Sequence, residues 1–175
     1  MENITCHGQL SQKEFVMLRL FDSRKRLVLI SLPFFLLVFI FLLLMNLVDV
    51  YALSGLAVLF WSLAITLLYY ALGICMMYFT SQKIYQKDPY TRRTNTYFIN
   101  EEYVFQQNER GEAKHIWEEI HQVFEFANMF IIYLAPTRAV VLPHRFFESK
   151  DDREIVKKTM KQCVDKDKLH LKKHS

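Results

Sequence analysis

At 175 residues the chain has room for one small domain beside whatever its apolar stretches form. Lys and Arg exceed Asp and Glu by 22 to 18, and from Lys83 onward the two signs nearly balance, which excludes the clustered basic face of a nucleic-acid binder. The three cysteines, Cys6, Cys75 and Cys163, form neither a CxxC motif nor a paired framework, so reduced thiols are expected.

Met1–Leu10 is short and mixed, and the alternation of Ile4 and Cys6 with Thr5 and His7 permits a strand. Asn3-Ile4-Thr5 matches a glycosylation sequon, which has meaning only on a secreted face. Ser11-Gln12-Lys13-Glu14 fits a capping box. Phe15, Leu18 and Phe21 follow at helical spacing, so an amphipathic helix is predicted from Ser11. It either lies at a membrane surface or runs straight into the next segment. Arg24-Lys25-Arg26 comes directly before the apolar run Leu27–Leu47. That run is too long for the apolar part of a signal peptide, about 7–15 residues, and no small-x-small cleavage pattern follows it. A retained span over 27–47 is predicted, with Pro33 giving a kink at most.

A short break around Val48–Tyr51 carries one charge, Asp49. The run that follows has no charge from Val50 to Gln82, and a second span is predicted over about 53–79. It is longer than a perpendicular crossing needs, so it should tilt or extend past the interface. Tyr51 and Tyr78 lie where interface aromatics belong, and Ser62 and Thr66 form a small-xxx-small pair for close helix approach. Asn46 is the notably polar side chain within the spans. Neither span holds an Asp, Glu, Lys, Arg or His, which argues against a proton relay, an ion pathway or a transporter. Arg19, Arg24, Lys25 and Arg26 precede the first span, Lys83, Lys87, Arg92 and Arg93 follow the second, and the connecting loop has no basic residue. Both termini are therefore expected in the cytoplasm, with a tight turn near Asp49 outside and the sequon on the wrong side for glycosylation.

Beyond the spans the period changes. Tyr97–Ile99 and Tyr103–Phe105 read as strands around a turn at Asn100-Glu101. Asn108–Gly111 is a second turn, with Gly111 supplying a positive φ. Lys114–Trp117 is strand-like, Val123–Phe126 and Met129–Leu134 flank a hairpin turn at Ala127-Asn128, and Ala139–Leu142 ends at Pro143. Ser149–Asp152 is another capping box. Val156, Met160, Cys163 and Val164 then make one apolar helix stripe. Asp151 and Asp152 at its start and Lys157, Lys158 and Lys161 further on suit the helix dipole. Lys166–Ser175 is charged, and a frayed end is expected.

The organisation read from these elements has five parts. An N-terminal cytoplasmic segment covers 1–26, a two-helix transmembrane hairpin 27–80, a basic linker 81–94, a small domain 95–165 and a charged tail 166–175. The fold class is a membrane α-helical hairpin plus an α+β cytosolic domain. That domain is a small antiparallel sheet or partly open barrel, pleckstrin-homology-like, closed by a C-terminal helix.

Two motifs in the tail carry a resemblance. Trp117-x-x-Ile120 after a strand, and Leu142-Pro143-His144-Arg145-x-Phe147 before the last helix, together with two preceding spans, resemble the YcxB-like family of bacterial membrane proteins. The residue after the proline, usually basic in that family, is His144. The resemblance implies a bacterial inner-membrane, multi-pass hairpin carrying a cytosolic pleckstrin-homology-like domain. It brings no established activity to carry over.

No phosphate-cradling glycine loop, HExxH or GxSxG motif is present. His115 and His121 flank Trp117 and could meet across a hairpin, but a metal site lacks further donors. His170 and His174 are four apart near the end, a weak basis for one. Glu118, Glu119 and Glu125 read as a solvated face, since acid–base work needs a pocket and a perturbed pKa. No catalytic residue, metal or cofactor is expected, and the chain is read as a non-enzyme. Trp117, Ile120 and Pro143 are assigned to the structural core, with Phe130, Ile132 and Leu142 packing on Trp117. Of Phe146 and Phe147, adjacent on a strand, one should face the core and the other the bilayer or a partner. The candidate lipid or partner contacts are the basic collar, Arg24, Lys25, Arg26, Lys83, Lys87, Arg92 and Arg93, and the pair His144 and Arg145. Membrane lipids and a protein partner are the expected ligands, nucleic acid is not, and self-association stays open. The leading reading is a tethered binding module at the inner leaflet. The alternative is an immunity-type protein whose hairpin acts on a toxin or transporter.

Overall fold

The computed structural model describes residues 4–48, 54–89 and 91–172. Helix α1 spans Gln12–Leu47 and helix α2 spans Gly55–Lys87, and together they make one structural unit, Gln12–Asp88. The amphipathic start and the first apolar run are a single helix, which continues past Pro33. Ser54 caps α2, its Oγ accepting from Ala57 N at 3.3 Å. The turn expected at Asp49, Tyr51 and the Asn3 sequon position lie outside the described residues.

The two helices are antiparallel. Phe34 stacks on Tyr69 with centroids 4.1 Å apart, and Phe15 meets Tyr85 at 5.8 Å. Val58, Ser62 and Thr66 are buried at four-residue spacing along α2, and Ser81 is buried further on. Small side chains at such spacing let two backbones approach closely. The hydroxyls in this apolar surround are satisfied within their own helices. Ser62 Oγ donates to the carbonyls of Val58 and Leu59, both at 2.9 Å, and Thr66 Oγ1 donates to Ser62 O at 2.7 Å. Among the described residues, the large apolar side chains exposed to the surroundings lie on α1, α2 and the adjoining Val48, apart from Ile116 and Ile155. Both helices are long and apolar enough to cross a membrane.

The second unit holds the chain up to Ser11 and from Pro89 onward. Strands β1 (Ile4–Gln9), β2 (Thr94–Ile99), β3 (Tyr103–Asn108) and β4 (Gly111–Ile116) form one antiparallel sheet in that order. Strands β5 (Gln122–Phe126), β6 (Met129–Ala135), β7 (Arg138–Pro143) and β8 (Leu169–His170) form another, ordered β7-β6-β5-β8. The two sheets are open and do not close into a barrel. Helix α3, Lys150–Cys163, follows the β7 strand. Its capping box is formed in both directions: Asp152 N donates to Ser149 Oγ at 2.9 Å and Ser149 N donates to Asp152 Oδ2 at 3.2 Å.

The N-terminal strand belongs to this unit. Its register on β2 runs from Ile4 opposite Ile99 to Gln9 opposite Thr94. The whole helical hairpin is thus an insertion in the connection between two directly paired strands. Cys6 and Ile4 enter the same core as Trp117, Ile120, Phe130, Ile132 and Leu142, with Val156 and Met160 from α3 and Val164 just after it. Trp117 is 2% exposed, and its Nε1 donates to Asn100 O at 2.8 Å, so the buried indole leaves no polar group unpaired.

Three local expectations are corrected. No glycine among the described residues has a positive φ, Gly111 included. That turn is held by Asn108, whose Oδ1 accepts from Arg110 N at 3.0 Å. The left-handed backbone occurs instead at Ala127 (φ 48°) and Asn128 (φ 62°), the two-residue turn between Phe126 and its partner Met129. Phe146 and Phe147 are both buried in the core, because His144–Phe146 is a 3-10 turn and the alternation of a strand does not apply. The tail is not frayed over its described part. Leu169 and His170 pair in parallel with Val123 and Phe124, and the His170 ring stacks on Phe124 at 4.6 Å.

Candidate functional site

Glu125 on β5 is the hub of a buried polar cluster. Its Oε2 is 2.8 Å from Lys157 Nζ on α3, and it also accepts from Lys172 N at 3.0 Å. Lys157 Nζ donates in turn to Lys172 O at 2.9 Å. The side chains of Lys157 and Glu125 are only 6% and 10% exposed. His144, in the turn after β7, places Nε2 3.9 Å from Glu125 Oε1 and its ring 4.8 Å from that of Phe130. Burial lowers the His144 pKa, Arg153 lowers it further, and Glu125 opposes this while Lys157 and Lys172 add to it. Burial thus favours the neutral imidazole, and among the described residues its buried Nε2 has no hydrogen-bond partner. The carboxylate already receives two donors through one oxygen, which suits it to hold structure together and not to take a proton from a substrate.

Beside this cluster, Arg145 donates to the carbonyl of Gln9 at the end of β1, and its guanidinium lies 5.0 Å from the Phe146 ring centre. Pro143 is buried at the end of β7. Arg92 is exposed and Arg93 half-buried ahead of β2. The other basic residues are on the helical unit, where Arg24, Lys25, Arg26, Lys83 and Lys87 are all exposed. They do not form one ring. The contact of Phe15 with Tyr85 sets Lys83 and Lys87 beside the first turns of α1. Arg24 lies roughly 13 Å of helix axis further on. At that end Leu27 Cδ2 would lie 3.5 Å from a methyl added to Gly73. The apolar run of α2 thus continues past the basic cluster of α1, with Met76 and Phe79 exposed beyond it.

An open groove of about 890 Å³ follows the hairpin from Arg24 and Lys25 along Val28, Leu32 and Phe35 to Leu67. Neither this groove nor the burial of Lys157 was read from the sequence. The Lys157 contact had one available signal. Val123 is buried on β5, and a period of two puts Glu125 on the same face, so an acid was due to point inward.

Of the remaining candidates, Glu118 and Glu119 are exposed in the 3-10 turn Trp117–Glu119. His115 is half-buried, with its pKa lowered by burial and by Arg138 against an opposing pull from Glu119. His121 is exposed, and among the described residues no three His, Cys, Asp or Glu side chains gather as a metal site would need. Cys6 is buried and its thiol is pushed up to about 12, the state of a packing residue and not of a nucleophile.

Comparison with known proteins agrees with the motifs around Trp117 and Pro143. The family model described as YcxB-like protein matches residues 99–160, the span that holds both. A curated relative, "Uncharacterized protein YcxB" of Bacillus subtilis (strain 168), is 23% identical over 111 residues, or 63% of this chain. The chain spans 60% of that relative's length. No solved structure matches. The matched residues cover β3 to β7 and most of α3.

Proposed function

We propose that the YcxB-like segment and the helical hairpin together make a non-enzymatic integral membrane protein of the bacterial cell membrane. Its two spans tether the β-rich unit to the inner leaflet, where that unit meets anionic lipid or a protein partner. The observation that carries this reading is the distribution of exposed apolar side chains. They cover α1 and α2 and are nearly missing elsewhere among the described residues. The basic residues at Arg24–Arg26 and at Lys83 and Lys87 lie in the halves of α1 and α2 remote from the connecting loop, which supports cytoplasmic termini. The β1–β2 pairing supports the same arrangement, because a hairpin inserted between paired strands starts and ends on one side. Tethering raises the local concentration of the β-rich unit at the leaflet without any new contact. Its seven antiparallel strands in two sheets, followed by one helix, support a pleckstrin-homology-like module.

Vesicle flotation of the full chain, with reporter fusions at the C-terminus and in the loop around Asp49, tests the reading. The expected outcome is co-flotation that survives alkaline extraction, a cytoplasmic C-terminus and an external loop. A chain that extracts at high pH, or a loop reporter on the cytoplasmic side, overturns it.

A further inference from the structure

The geometry points to a binding site for one anionic phospholipid in the groove that runs from Arg24 and Lys25 along the face of the hairpin. The inference rests on α1 and α2 being membrane spans. At about 890 Å³ the groove falls within the range of roughly 300–1,000 Å³ that holds small ligands. Two cations stand at one end, and no acidic side chain lines any part of it. The rest of the lining, Val28, Leu32 and Phe35 of α1 and Leu67 of α2 among it, is apolar apart from Ser31 and Thr66, whose hydroxyls donate to carbonyls of their own helices. From Arg24 to Phe35 the helix rises roughly 16 Å. That is about half of a hydrocarbon core of ~30 Å, the depth of one leaflet.

The two chemistries at the two ends select the occupant. A soluble anion would use Arg24 and Lys25 but not the apolar wall. A neutral apolar helix would use the wall and leave the cations unmatched. A phosphate carrying an acyl chain uses both at the right depth. The Arg24 guanidinium is 3.9 Å from the Phe21 ring centre, a contact that restrains a side chain otherwise free to sweep the surface. A guanidinium held in one place is suited to paired hydrogen bonds with a phosphate, beyond the general pull of the leaflet on any lysine.

The full chain is reconstituted in vesicles of phosphatidylglycerol and phosphatidylcholine, and flotation is scored first. Detergent release and native mass spectrometry then count the lipid retained. One phosphatidylglycerol per chain is expected. Arg24→Gln with Lys25→Gln should cut retention about tenfold or more. Leu67→Trp should do the same by filling the groove with both cations in place. Lys13→Gln with Arg19→Gln removes equal charge from the same helix outside the groove and should retain the lipid. Equal loss from both charge pairs, or full retention by Leu67→Trp, overturns the site. Flotation without selective retention overturns the groove alone, whereas failure to float removes the membrane reading and the groove with it.

Discussion

Glu125 and Lys157 meet at 2.8 Å with 10% and 6% of their side chains exposed, joining β5 to α3 through a nearly dry ion pair. Such a pair is costly to break from one side, because the survivor is left charged and buried, at about 3–5 kcal/mol. Replacing both partners by apolar residues of like size is often neutral. Lys157→Met should therefore melt far below the parent, and Lys157→Met with Glu125→Leu should recover most of the loss. Thermal melts of the three proteins in one detergent decide this. A single variant that melts with the parent would show that the pair contributes nothing.

The same pair marks how far the sequence could be read. The two apolar helices, most strands, the Ser149 capping box and the buried Trp117 were legible, because each rests on a local period or a local hydrogen bond. Lys157 read only as a residue that suits the helix dipole, and the tertiary approach of α3 to β5 makes it a buried partner. The strand at Ile4–Gln9 was legible as a strand, but its partner was not. Register between segments so far apart is set by the packing of Cys6 and Ile4 into the core, which no local pattern encodes. The positive φ went to Ala127 and Asn128 because the tight hairpin from Phe126 to Met129 demands it of whatever residues stand there. The groove beyond Arg24 was hidden for a similar reason: it is a property of two helices side by side.

His144 gives the fold a defined response to acid. Its pKa is lowered in the folded chain, chiefly by burial, from an ordinary value of 6.5. Between those two pKa values the unfolded chain binds the extra proton, so stability falls as the pH drops below about 6.5 and is complete above it. His115 is shifted the same way and adds to the slope. Melting temperature plotted against pH should fall on the acid side in the parent and fall less steeply in His144→Gln. Identical slopes in the two proteins would contradict the assignment.

Ala127 holds φ at 48°, a region in which a Cβ crowds the following carbonyl. Glycine has no such penalty there, so Ala127→Gly should stabilise the protein by about 0.5–1 kcal/mol. The same exchange at Ala113, in mid-strand on β4, should destabilise by a similar amount. Denaturant midpoints of the two variants should move in opposite directions. A shift to lower stability at both positions would argue against the left-handed turn.

Gly8 has no room for a side chain, because a methyl there would collide with the Phe146 ring. Phe146 cannot easily give way, being 4% exposed and stacked near Tyr97 at 6.5 Å. Gly8→Ala should cost about 1–3 kcal/mol, the usual penalty for overfilling a packed core. Adding Phe146→Leu should bring a smaller total loss than the sum of the single variants, since the two sites are in contact. Additive losses would mean that β1 and the 144–146 turn do not press on each other.

The pairing of Gln9 with Thr94 makes the strongest claim about architecture, because the entire hairpin lies between these two facing residues. Facing residues of an antiparallel pair need only a two-residue turn to connect them. Joining Gln9 directly to Thr94 through Asn-Gly should give a water-soluble protein that unfolds cooperatively, with both sheets and α3 retained. A fragment that starts at Asn95 lacks β1, with Ile4 and Cys6 missing from the core, and should be expanded or insoluble. Circular dichroism and size-exclusion profiles of the two proteins separate the outcomes. If the fragment from Asn95 folds as well as the closed chain, β1 is dispensable and the β-rich unit is complete without it.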